Sequence, residues 1–532
     1  MKGWSYLEKD KTTITILYTS DVHGHAMPII YGTNEPADLG LAKYATAVKN
    51  TRKMNEHVIV LDNGDLIQGT PLMTHYVKDY ADHRTNPMIG IMNHIGIDAG
   101  VIGNHEFNFG KNILKDAVAQ SHFPWISANI LDEQTNRPYF GPPYLMKTLK
   151  NGVKLAVIGV TTHYIPNWES PAHIEGIRFT DACQTLHTWV HYIQKNEQPD
   201  ILIAAYHGGL ERDAKTGAAT EKLTGENQGY QMCATIPGID ILLTGHQHRV
   251  LTETINDVLV IQPGHNGKMY GEITIDLKKR GTSWTIVEKK AAIHTLEGVE
   301  ADNEIMAYMQ GFEASTQTWL VQPIGYIEGD MTITDPFAAR VKKHPFIELI
   351  QTVQMDASGA DISVTALLNN DSRGFSPVVT MRDIVANYIY PNTLVVLALT
   401  GKDIREALEK SAEYFVLDKN GEITVNPIYE TPKPQHYNYD MWEGIYYTID
   451  VSRPFGARVE HITYHNQALE DDKTYHVVVN NYRASGGGDY DMFKNKPVIK
   501  EIQTDMVDLI RHYFEKHGTV RAVTTKNFTV KA

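Results

Sequence analysis

Residues 13–25 read TITILYTSDVHGH, a run of β-branched and apolar residues followed by an aspartate and two histidines. Because branched and aromatic side chains suit a pleated surface, residues 13–19 are predicted to form a strand. A strand that is apolar throughout is typical of a sheet covered on both faces. Asp21 and His23 therefore follow the carboxyl end of a buried strand, which is the edge where α/β sheets bind ligands.

The same arrangement recurs along the first half of the chain. Six more apolar runs predict strands, at 57–61, 99–102, 155–160, 201–205, 241–244 and 258–261. Helical patterns at 40–52 and 181–195 lie between them, so an α/β layered domain is expected. Polar side chains that can bind metal or phosphate follow five of the strands: Asp21, His23, Asp65, Asn104, His105, His207, His246 and His248.

These side chains form a set typical of a site for two divalent cations. One carboxylate can bridge two ions about 3.5–4 Å apart, and such a pair binds and polarises a phosphoryl group. Mixed nitrogen and oxygen ligands suit Mn, Zn, Co or similar ions better than Mg, which favours oxygen alone. Each motif by itself could be an ordinary turn with a buried, satisfied side chain. Five motifs in order, each after a predicted strand, favour the metal site.

Composition limits the class of protein. The chain has 532 residues, of which 42% are hydrophobic and 21% charged, and this ordinary globular usage excludes a disordered or fibrous protein. Its net charge of −14 gives the wrong long-range field for binding a nucleic-acid polymer. No apolar run is long enough to suggest a membrane span, and no obligate protein partner is predicted.

The amino terminus bears on location. It contains no apolar signal segment, so the sequence as written predicts a cytoplasmic protein. The alternative is an exported or surface protein from which the signal has been removed.

The second half of the chain predicts a domain of its own. Strand-type runs occur at 393–398, 444–451, 461–464 and 475–480, and helical patterns occur at 305–318, 345–355 and 402–414. Pro345 suits the first position of its helix, which could bridge to the second domain. Residues 424–440 are rich in proline, tyrosine and asparagine and are predicted to be a long surface loop.

Several motifs carry a family resemblance. DVHG, GD, GNHE, a lone histidine and GHQH, in this order, resemble the calcineurin-like metallophosphoesterases. Longer stretches are similar to the two-domain 5′-nucleotidase superfamily, and most similar to its branch of 2′,3′-cyclic-nucleotide 2′-phosphodiesterase/3′-nucleotidases. They are DNGDLIQG at 62–69, GNHEFNFG at 103–110, YPNTLVV at 390–396 and NNYRASGG at 480–487.

The resemblance implies a mixed α/β protein with two domains. Residues 1–335 would form a four-layered metallophosphoesterase β-sandwich flanked by helices. Residues 336–357 would form a bridging helix, and residues 358–532 would form a second α/β domain that binds the substrate.

The resemblance also implies roles for the residues of the first domain. Two groups of ligands would each hold one divalent ion, and one carboxylate would bridge them: Asp21, His23 and His248; Asn104, His207 and His246; and Asp65 as the bridge. His105 would contact a phosphoryl oxygen and stabilise its developing charge.

In the second domain the resemblance implies a site for a small-molecule nucleotide. Tyr390 and Tyr482 match the two aromatic residues that sandwich the base, where stacking contributes about 1–3 kcal/mol per base. Asn392 would hydrogen-bond the base. Arg373 would contact the substrate phosphate, and Asp489 would hold the ribose hydroxyls.

Asn108 guides the choice of branch. In the 5′-nucleotidase branch an aspartate usually follows the GNHEF run and pairs with the catalytic histidine, whereas this chain has Asn108. An amide can orient His105 but cannot stabilise an imidazolium as a carboxylate would. We therefore predict that a metal-bound hydroxide hydrolyses 2′,3′-cyclic nucleotides to 3′-nucleotides, and these to nucleoside and phosphate. The alternatives are a 5′-nucleotidase or nucleotide-sugar hydrolase and, more distantly, a non-catalytic nucleotide-binding protein.

Overall fold

The protein is described by a computed structural model that covers residues 10–79, 84–167, 169–221, 223–390, 392–431, 434–502 and 504–532. The chain divides into two compact units, residues 1–316 and 317–532. The division precedes residue 335, where the sequence analysis ended the first domain.

The first unit contains a six-stranded sheet that includes the strand predicted at residues 13–19. From edge to edge its strands are Ser283–Thr295, Met269–Arg280, Lys11–Thr19, Val58–Asp62, Ala99–Val101 and Trp125–Ile126. The last four are parallel to one another, and the first two form a long antiparallel hairpin beside them. That hairpin was not predicted, because it lacks a continuous apolar run: Met269–Arg280 alternates buried with half-buried residues, and Ser283–Thr295 is mostly exposed or half-buried.

A second six-stranded sheet lies in the same unit. Its strands in spatial order are Val250–Ile255, Val258–Pro263, Ile241–Leu243, Ile201–His207, Lys154–Thr161 and Tyr144–Thr148. The four inner strands are parallel, and both edge strands are antiparallel to their neighbours. All seven strands predicted in this half of the chain are present within two residues of their expected bounds.

The two sheets face each other and helices cover their outer faces. Ile16 and Ile59 of the first sheet pack with Val157 and Ile203 of the second in one fully buried apolar cluster. On the outer face of the second sheet, the helix Ala182–Asn196 buries its apolar side against the strands. The remaining helices of this unit are Leu41–Met54, Pro71–Asp79, Pro87–Ile95, Gly110–Gln120 and Gly229–Thr235. The predicted four-layered α/β architecture is confirmed.

The second unit is built on its own mixed sheets. Its largest sheet has, in spatial order, the strands Met441–Glu443, Ile362–Thr365, Thr474–Asn480, Leu394–Thr400 and Val498–Ile502. A four-stranded sheet contains Gln467–Ala468, Val459–Tyr464, Ile445–Asp450 and Phe528–Lys531. A three-stranded sheet contains Val378–Thr380, Pro323–Glu328 and Thr519–Arg521.

The expected bridging helix belongs to the second unit. Residues 336–357 form the two helices Pro336–Val341 and Pro345–Ser358. The second of these buries Phe346 and Ile350 in the apolar core of its own unit, so packing fixes it there. The helix that crosses the division of the chain is Asn303–Leu320 instead. The other helices of the second unit are Met381–Asn387, Gly401–Ala412, Asn481–Ala484 and Met506–His517.

The predicted surface loop at 424–440, which the structure describes for 424–431 and 434–440, contains short regular elements and several buried side chains. It ends the strand Ile423–Val425 and contains two short 3₁₀ turns, Pro427–Tyr429 and His436–Asn438. Tyr439 and Asp440 are buried. A tyrosine ring can fill an apolar core, and a polar neighbour can be buried beside it when hydrogen bonds satisfy its polar atoms. Composition alone did not reveal this.

Within the described ranges, no helix is long and apolar enough to cross a membrane.

Candidate metal centre

The predicted metal ligands lie together at the carboxyl ends of strands from both sheets of the first unit. Three of the ligand-bearing loops follow strands of the first sheet, Lys11–Thr19, Val58–Asp62 and Ala99–Val101. In the second sheet, one ligand is the last residue of Ile201–His207, and a ligand-bearing loop follows Ile241–Leu243. The sandwich therefore brings together side chains that are far apart in the sequence.

The backbone at the site is held in an uncommon conformation. Five ligand residues have positive φ angles of 49–66°: Asp21, His23, Asp65, His246 and His248. This left-handed region costs on the order of 1–2 kcal/mol for a residue other than glycine, and it concentrates at functional sites. Backbone hydrogen bonds hold the first two loops together, from Asp21 N–H to Gly64 O at 2.9 Å and from His23 N–H to Asp65 O at 2.8 Å.

Two glycines are required by close approach rather than by φ. A Cβ atom at Gly103 would lie 2.3 Å from Oδ1 of Asp65, and one at Gly245 would lie 2.8 Å from Oδ2 of Asp21. Any side chain there would displace a predicted metal ligand.

The first group of ligands contains Asp21, His23 and His248, whose ligand atoms lie within 4.8 Å of one another. The Nε2 atoms of the two histidines are 3.0 Å apart, and Nε2 of His248 is 3.5 Å from Oδ1 of Asp21. The ring of His265, which the sequence analysis assigned no role, stacks on His248 at 4.5 Å and holds its orientation. Lone pairs that converge in this way fit a shared cation.

The second group contains Asp65, His207 and His246, again with all ligand atoms within 4.8 Å. His207 donates its Nδ1–H to the carbonyl of Asn63 at 2.7 Å, which leaves Nε2 as the ring nitrogen that faces the site. That Nε2 lies 3.2 Å from Oδ2 of Asp65 and 3.1 Å from Oδ1 of Asn104, and both oxygens are acceptors. A divalent cation in place of a proton on Nε2 would satisfy all three atoms.

His246 joins this group through one ring nitrogen and is oriented through the other. Its Nδ1 lies 2.9 Å from Oδ1 of Asn104, and its Nε2 lies 2.9 Å from the carboxylate of Glu226. A carboxylate behind a metal-binding histidine fixes its tautomer and raises its basicity. Glu226 was not predicted, since no motif marks it.

The electrostatics of the site favour added positive charge. Burial raises the pKa of Asp21 and of Glu106, although His207 acts against this at both. Burial acts to lower the pKa of His207, but the carboxylates around it, Asp65 first among them, raise it to about 10. Burial opposes the charge of Asp65 too, yet His207 and the neighbouring imidazoles hold the pKa of Asp65 below its usual range. Two divalent cations would supply the positive charge that these buried carboxylates demand.

Glu106 organises the loops and was missed by the sequence analysis. Its fully buried carboxylate accepts backbone N–H groups from Asp65 at 2.8 Å, Leu66 at 2.6 Å and Gly103 at 2.6 Å. Because a single side chain ties two ligand loops together, it sets their spacing. Its place inside the GNHEF motif was a signal that could have identified it.

His105 lies beside this centre and is held by Asn108. Its backbone N–H donates to Oδ1 of Asp65 at 2.8 Å, and its ring lies 5.2 Å from that of His23. Its Nδ1 lies 2.6 Å from Oδ1 of Asn108. Asn108, predicted with His105 as part of the catalytic pair, thus contacts the histidine directly, as an orienting amide would.

The second unit brings three tyrosines together. The ring of Tyr437 lies 6.1 Å from that of Tyr390 and 6.4 Å from that of Tyr482, nearly perpendicular to both at 77° and 75°. Of these three tyrosines, only Tyr390 and Tyr482 were predicted from the sequence. The ring of Tyr482 lies over Gly487, where a Cβ atom would come within 2.5 Å of it.

A buried ion pair fixes the segments that carry two of these rings. Arg483, which is 3% exposed, contacts Asp440 through Nε at 2.8 Å and Nη2 at 3.0 Å. The same guanidinium donates to the carbonyls of Tyr437 and Gly487 and lies over the ring of Tyr490 at 3.9 Å.

The other predicted substrate residues occupy different surroundings in this unit. Asn392 is buried, and its backbone carbonyl accepts from Met506 N–H at 2.9 Å. Arg373 is exposed. Asp489 is exposed as well, and its Oδ2 lies 3.9 Å from Nζ of Lys410.

Comparison with known proteins agrees with this architecture. Residues 14–250 match the calcineurin-like phosphoesterases, and residues 323–495 match the 5′-nucleotidase C-terminal domain. The structure of a putative 5′-nucleotidase from Staphylococcus aureus is 34% identical, covering 98% of this chain and 100% of that chain with a TM-score of 0.89.

Two curated relatives are more distant in sequence. A 2′,3′-cyclic-nucleotide 2′-phosphodiesterase/3′-nucleotidase of Yersinia enterocolitica is 26% identical, over 89% of this chain and 81% of its own length. A trifunctional nucleotide phosphoesterase protein of Bacillus subtilis is 28% identical over 97% of this chain. This chain spans 39% of the length of that relative.

The fold and the two ligand groups define a metallophosphoesterase, an enzyme class whose members use divalent metals. More narrowly, the chain belongs to the calcineurin-like phosphoesterases that carry a 5′-nucleotidase C-terminal domain. The predicted family and enzyme class are confirmed, and the alternative of a non-catalytic binding protein is set aside.

Proposed function

We propose that this enzyme hydrolyses 2′,3′-cyclic nucleotides to 3′-nucleotides, and 3′-nucleotides to nucleoside and phosphate. In the first reaction water adds to phosphorus and the bond from phosphorus to O2′ breaks. In the second reaction the bond to O3′ breaks in the same way. The observation that carries this choice is the amide at Asn108, bonded to His105, where the 5′-nucleotidase branch is expected to have an aspartate. The name of the Yersinia relative supports the same choice.

The predicted ligands would hold two divalent ions. Asp21, His23 and His248 would hold one divalent ion, and His207, His246 and Asn104 the other, with Asp65 as the bridge. Bound ions of this kind lower the pKa of a water molecule and neutralise phosphate charge. The mixed ligands favour Mn, Zn, Co or a similar ion.

His105 would bind a phosphoryl oxygen and stabilise the charge that develops on it. Asn108 would hold the ring of His105 in place through Nδ1, so that no rotation of the imidazole is needed during the reaction. Because His105 N–H also bonds to Asp65, the histidine is tied to the ligand loops from both its backbone and its ring.

The tyrosines of the second unit would bind the nucleoside base. Tyr390 and Tyr482 would stack on its faces, and Tyr437, perpendicular to both, would close one end of the slot. Stacking tolerates any base because every base has a π face. The proposal keeps Asn392 as a hydrogen-bond partner of the base, Arg373 as a phosphate contact and Asp489 as a ribose contact.

A 5′-nucleotidase is the second candidate, and the 34% identity to the putative 5′-nucleotidase of Staphylococcus aureus favours it. The same metal centre would serve both reactions. The two reactions differ in whether the phosphate is attached to the 3′ or the 5′ oxygen of the ribose.

The test is phosphate release after metal removal and reloading with Mn²⁺. The substrates are 2′,3′-cyclic AMP with added phosphatase, 3′-AMP, 5′-AMP and a nucleotide sugar. We expect the highest kcat/KM on the cyclic diester and 3′-AMP, and no turnover before reloading. Highest kcat/KM on 5′-AMP would replace the proposed substrate with that of the second candidate.

Removal of both stacking rings, Tyr390→Ala with Tyr482→Ala, should raise KM for nucleotides about tenfold to a hundredfold, since stacking contributes about 1–3 kcal/mol per base. KM for p-nitrophenyl phosphate, which has no base, should stay the same. The matched control is Tyr326→Ala, an exposed tyrosine of the same unit, which should change neither value. Equal losses on both substrates would reject the stacking role.

A further inference from the structure

Two histidines outside the metal centre lie on the outward face of the helix Ala182–Asn196. His187 and His191 are four residues apart, so they stand one turn apart on the same side of the helix. Both residues are exposed, and within the described ranges neither ring forms a hydrogen bond, an ion pair or a ring contact. Among the helices that the structure describes, no other has two exposed histidines at this spacing. The ring nitrogens of this pair are therefore accessible to a ligand from solvent.

The helix that carries the pair is held in place from its other side. Leu186, Val190 and Ile193 are at most 2% exposed and pack on the outer face of the second sheet. At the amino end of the helix, Oδ1 of Asp181 accepts the backbone N–H of Gln184 at 2.8 Å and caps the first turn. The backbone spacing of the two histidines is thus fixed before any ligand binds.

Two imidazoles at this spacing can chelate one metal ion. The Cβ atoms of residues one helical turn apart are about 5–6 Å from each other, so both rings can turn a nitrogen toward the same ion. Imidazole suits Cu²⁺, Ni²⁺ and Zn²⁺, and affinity for such ligands rises along the series from Mn²⁺ to Cu²⁺. The predicted catalytic ligands include carboxylate and amide oxygens, whereas this pair offers nitrogen only. The pair should therefore select the cations that bind imidazole most tightly.

We propose that His187 and His191 form a second metal site, which binds one divalent cation of the kind that prefers imidazole, such as Cu²⁺ or Ni²⁺. This site lies away from the metal centre, because its helix covers the outer face of the second sheet while the catalytic ligands stand at the carboxyl ends of the strands. Two protein ligands leave the other coordination positions of the ion to water or to groups of another molecule. The proposal does not depend on which reaction the enzyme catalyses.

The probe is Cu²⁺ bound to nitrilotriacetate, a chelator that leaves the ion only two positions for protein ligands. It is titrated into the full-length enzyme after the catalytic centre has been loaded with Zn²⁺, which is diamagnetic. Electron paramagnetic resonance then detects imidazole nitrogens on the copper. We expect one copper chelate per chain, coordinated by two imidazoles, with the zinc content and kcat unchanged. A wild-type enzyme that shows no copper with two imidazole ligands would overturn the proposal.

Three variants test whether this pair is the site. His187→Gln and His191→Gln should each weaken binding of the copper chelate about a hundredfold, because the second ring binds intramolecularly in the wild type. His191→Gln combined with Gln194→His keeps two histidines on this face but places them roughly 10 Å apart along the helix, too far to share one ion. It should bind as weakly as the single variants. Wild-type affinity in any of the three would overturn the proposal.

The matched control is His122→Gln, which removes an exposed histidine elsewhere in the first unit and should leave copper binding unchanged. A loss in this control as large as in the other variants would also count against the proposal. All of these substitutions change exposed side chains outside the catalytic and nucleotide sites, so melting temperature, kcat and KM should stay the same. Failure of the copper site would therefore leave the proposed reaction untouched, and failure of the reaction would leave the copper site untouched.

Discussion

Asp65→Asn should reduce kcat/KM on the order of 10³-fold and prevent loading of the full pair of divalent ions. The amide has nearly the volume of the carboxylate, and its oxygen can still accept the backbone N–H of His105. What is lost is a buried negative charge 3.2 Å from Nε2 of His207 and 3.9 Å from Nε2 of His23, one from each ligand group. A bridging charge offsets the repulsion between two cations, and the loss of one preorganised charged group already costs about 10²–10³-fold.

Metal content measured by plasma mass spectrometry and steady-state kinetics together check this expectation. Asp62→Asn is the matched control, since Asp62 is an equally buried aspartate three residues earlier. Burial raises the pKa of Asp62 to about 8, so the group is mostly uncharged at neutral pH and an amide is a close replacement. We expect the control to keep its metals and most of its activity. Turnover of Asp65→Asn close to that of the wild type would contradict the two-metal assignment.

Arg483→Met should lower the free energy of unfolding of the second unit by about 3–5 kcal/mol, because it leaves the carboxylate of Asp440 buried without its partner. Burial already raises the pKa of Asp440, and the guanidinium of Arg483 is the main force opposing that rise. For a unit of this size the loss corresponds to a fall of roughly 10 °C in melting temperature. Because Arg483 also holds the carbonyls of Tyr437 and Gly487, KM for nucleotides should rise as well.

Calorimetry on the full chain checks the loss of stability, with two further variants for comparison. Arg521→Met breaks an ion pair to Glu328 in the same unit, but those side chains are 76% and 61% exposed, so the cost should stay below about 1 kcal/mol. Arg483→Met combined with Asp440→Leu removes both buried charges and should recover much of the stability. A melting temperature of Arg483→Met within a degree or two of the wild type would show that the pair does not hold this unit together.

Much of the metal centre could be predicted because its signals are local. A buried parallel strand is apolar throughout, and the residue after it stands at the edge of the sheet, so each motif could be recognised within a dozen residues. The same reasoning failed for the hairpin Met269–Arg280 and Ser283–Thr295, whose strands are apolar on one face only. It also failed within the predicted loop at 424–440, where Tyr429, Tyr439 and Asp440 are buried.

The residues that orient the ligands were mostly invisible in the sequence. Glu226 contacts a ligand that lies in a different loop, and no spacing rule connects the two. Tyr437 lies in the stretch expected to be a loop, yet its ring packs edge-on against both of the tyrosines that were predicted. Such contacts depend on how the loops pack, which is a property of the whole unit.

The sequence by itself determined seven apolar strands of the first unit, the polar residues at their carboxyl ends and the chemical class of the site, because strand periodicity and ligand type are encoded in neighbouring residues. Only the tertiary structure decided that the ligand strands belong to two facing sheets, three in one and two in the other. It also decided that Glu226 stands behind His246 and that Arg483 ties the tyrosine segments together. These features arise from packing between segments that are distant in the sequence. Because an unpaired buried charge is costly, each buried charged group there has a polar or charged partner.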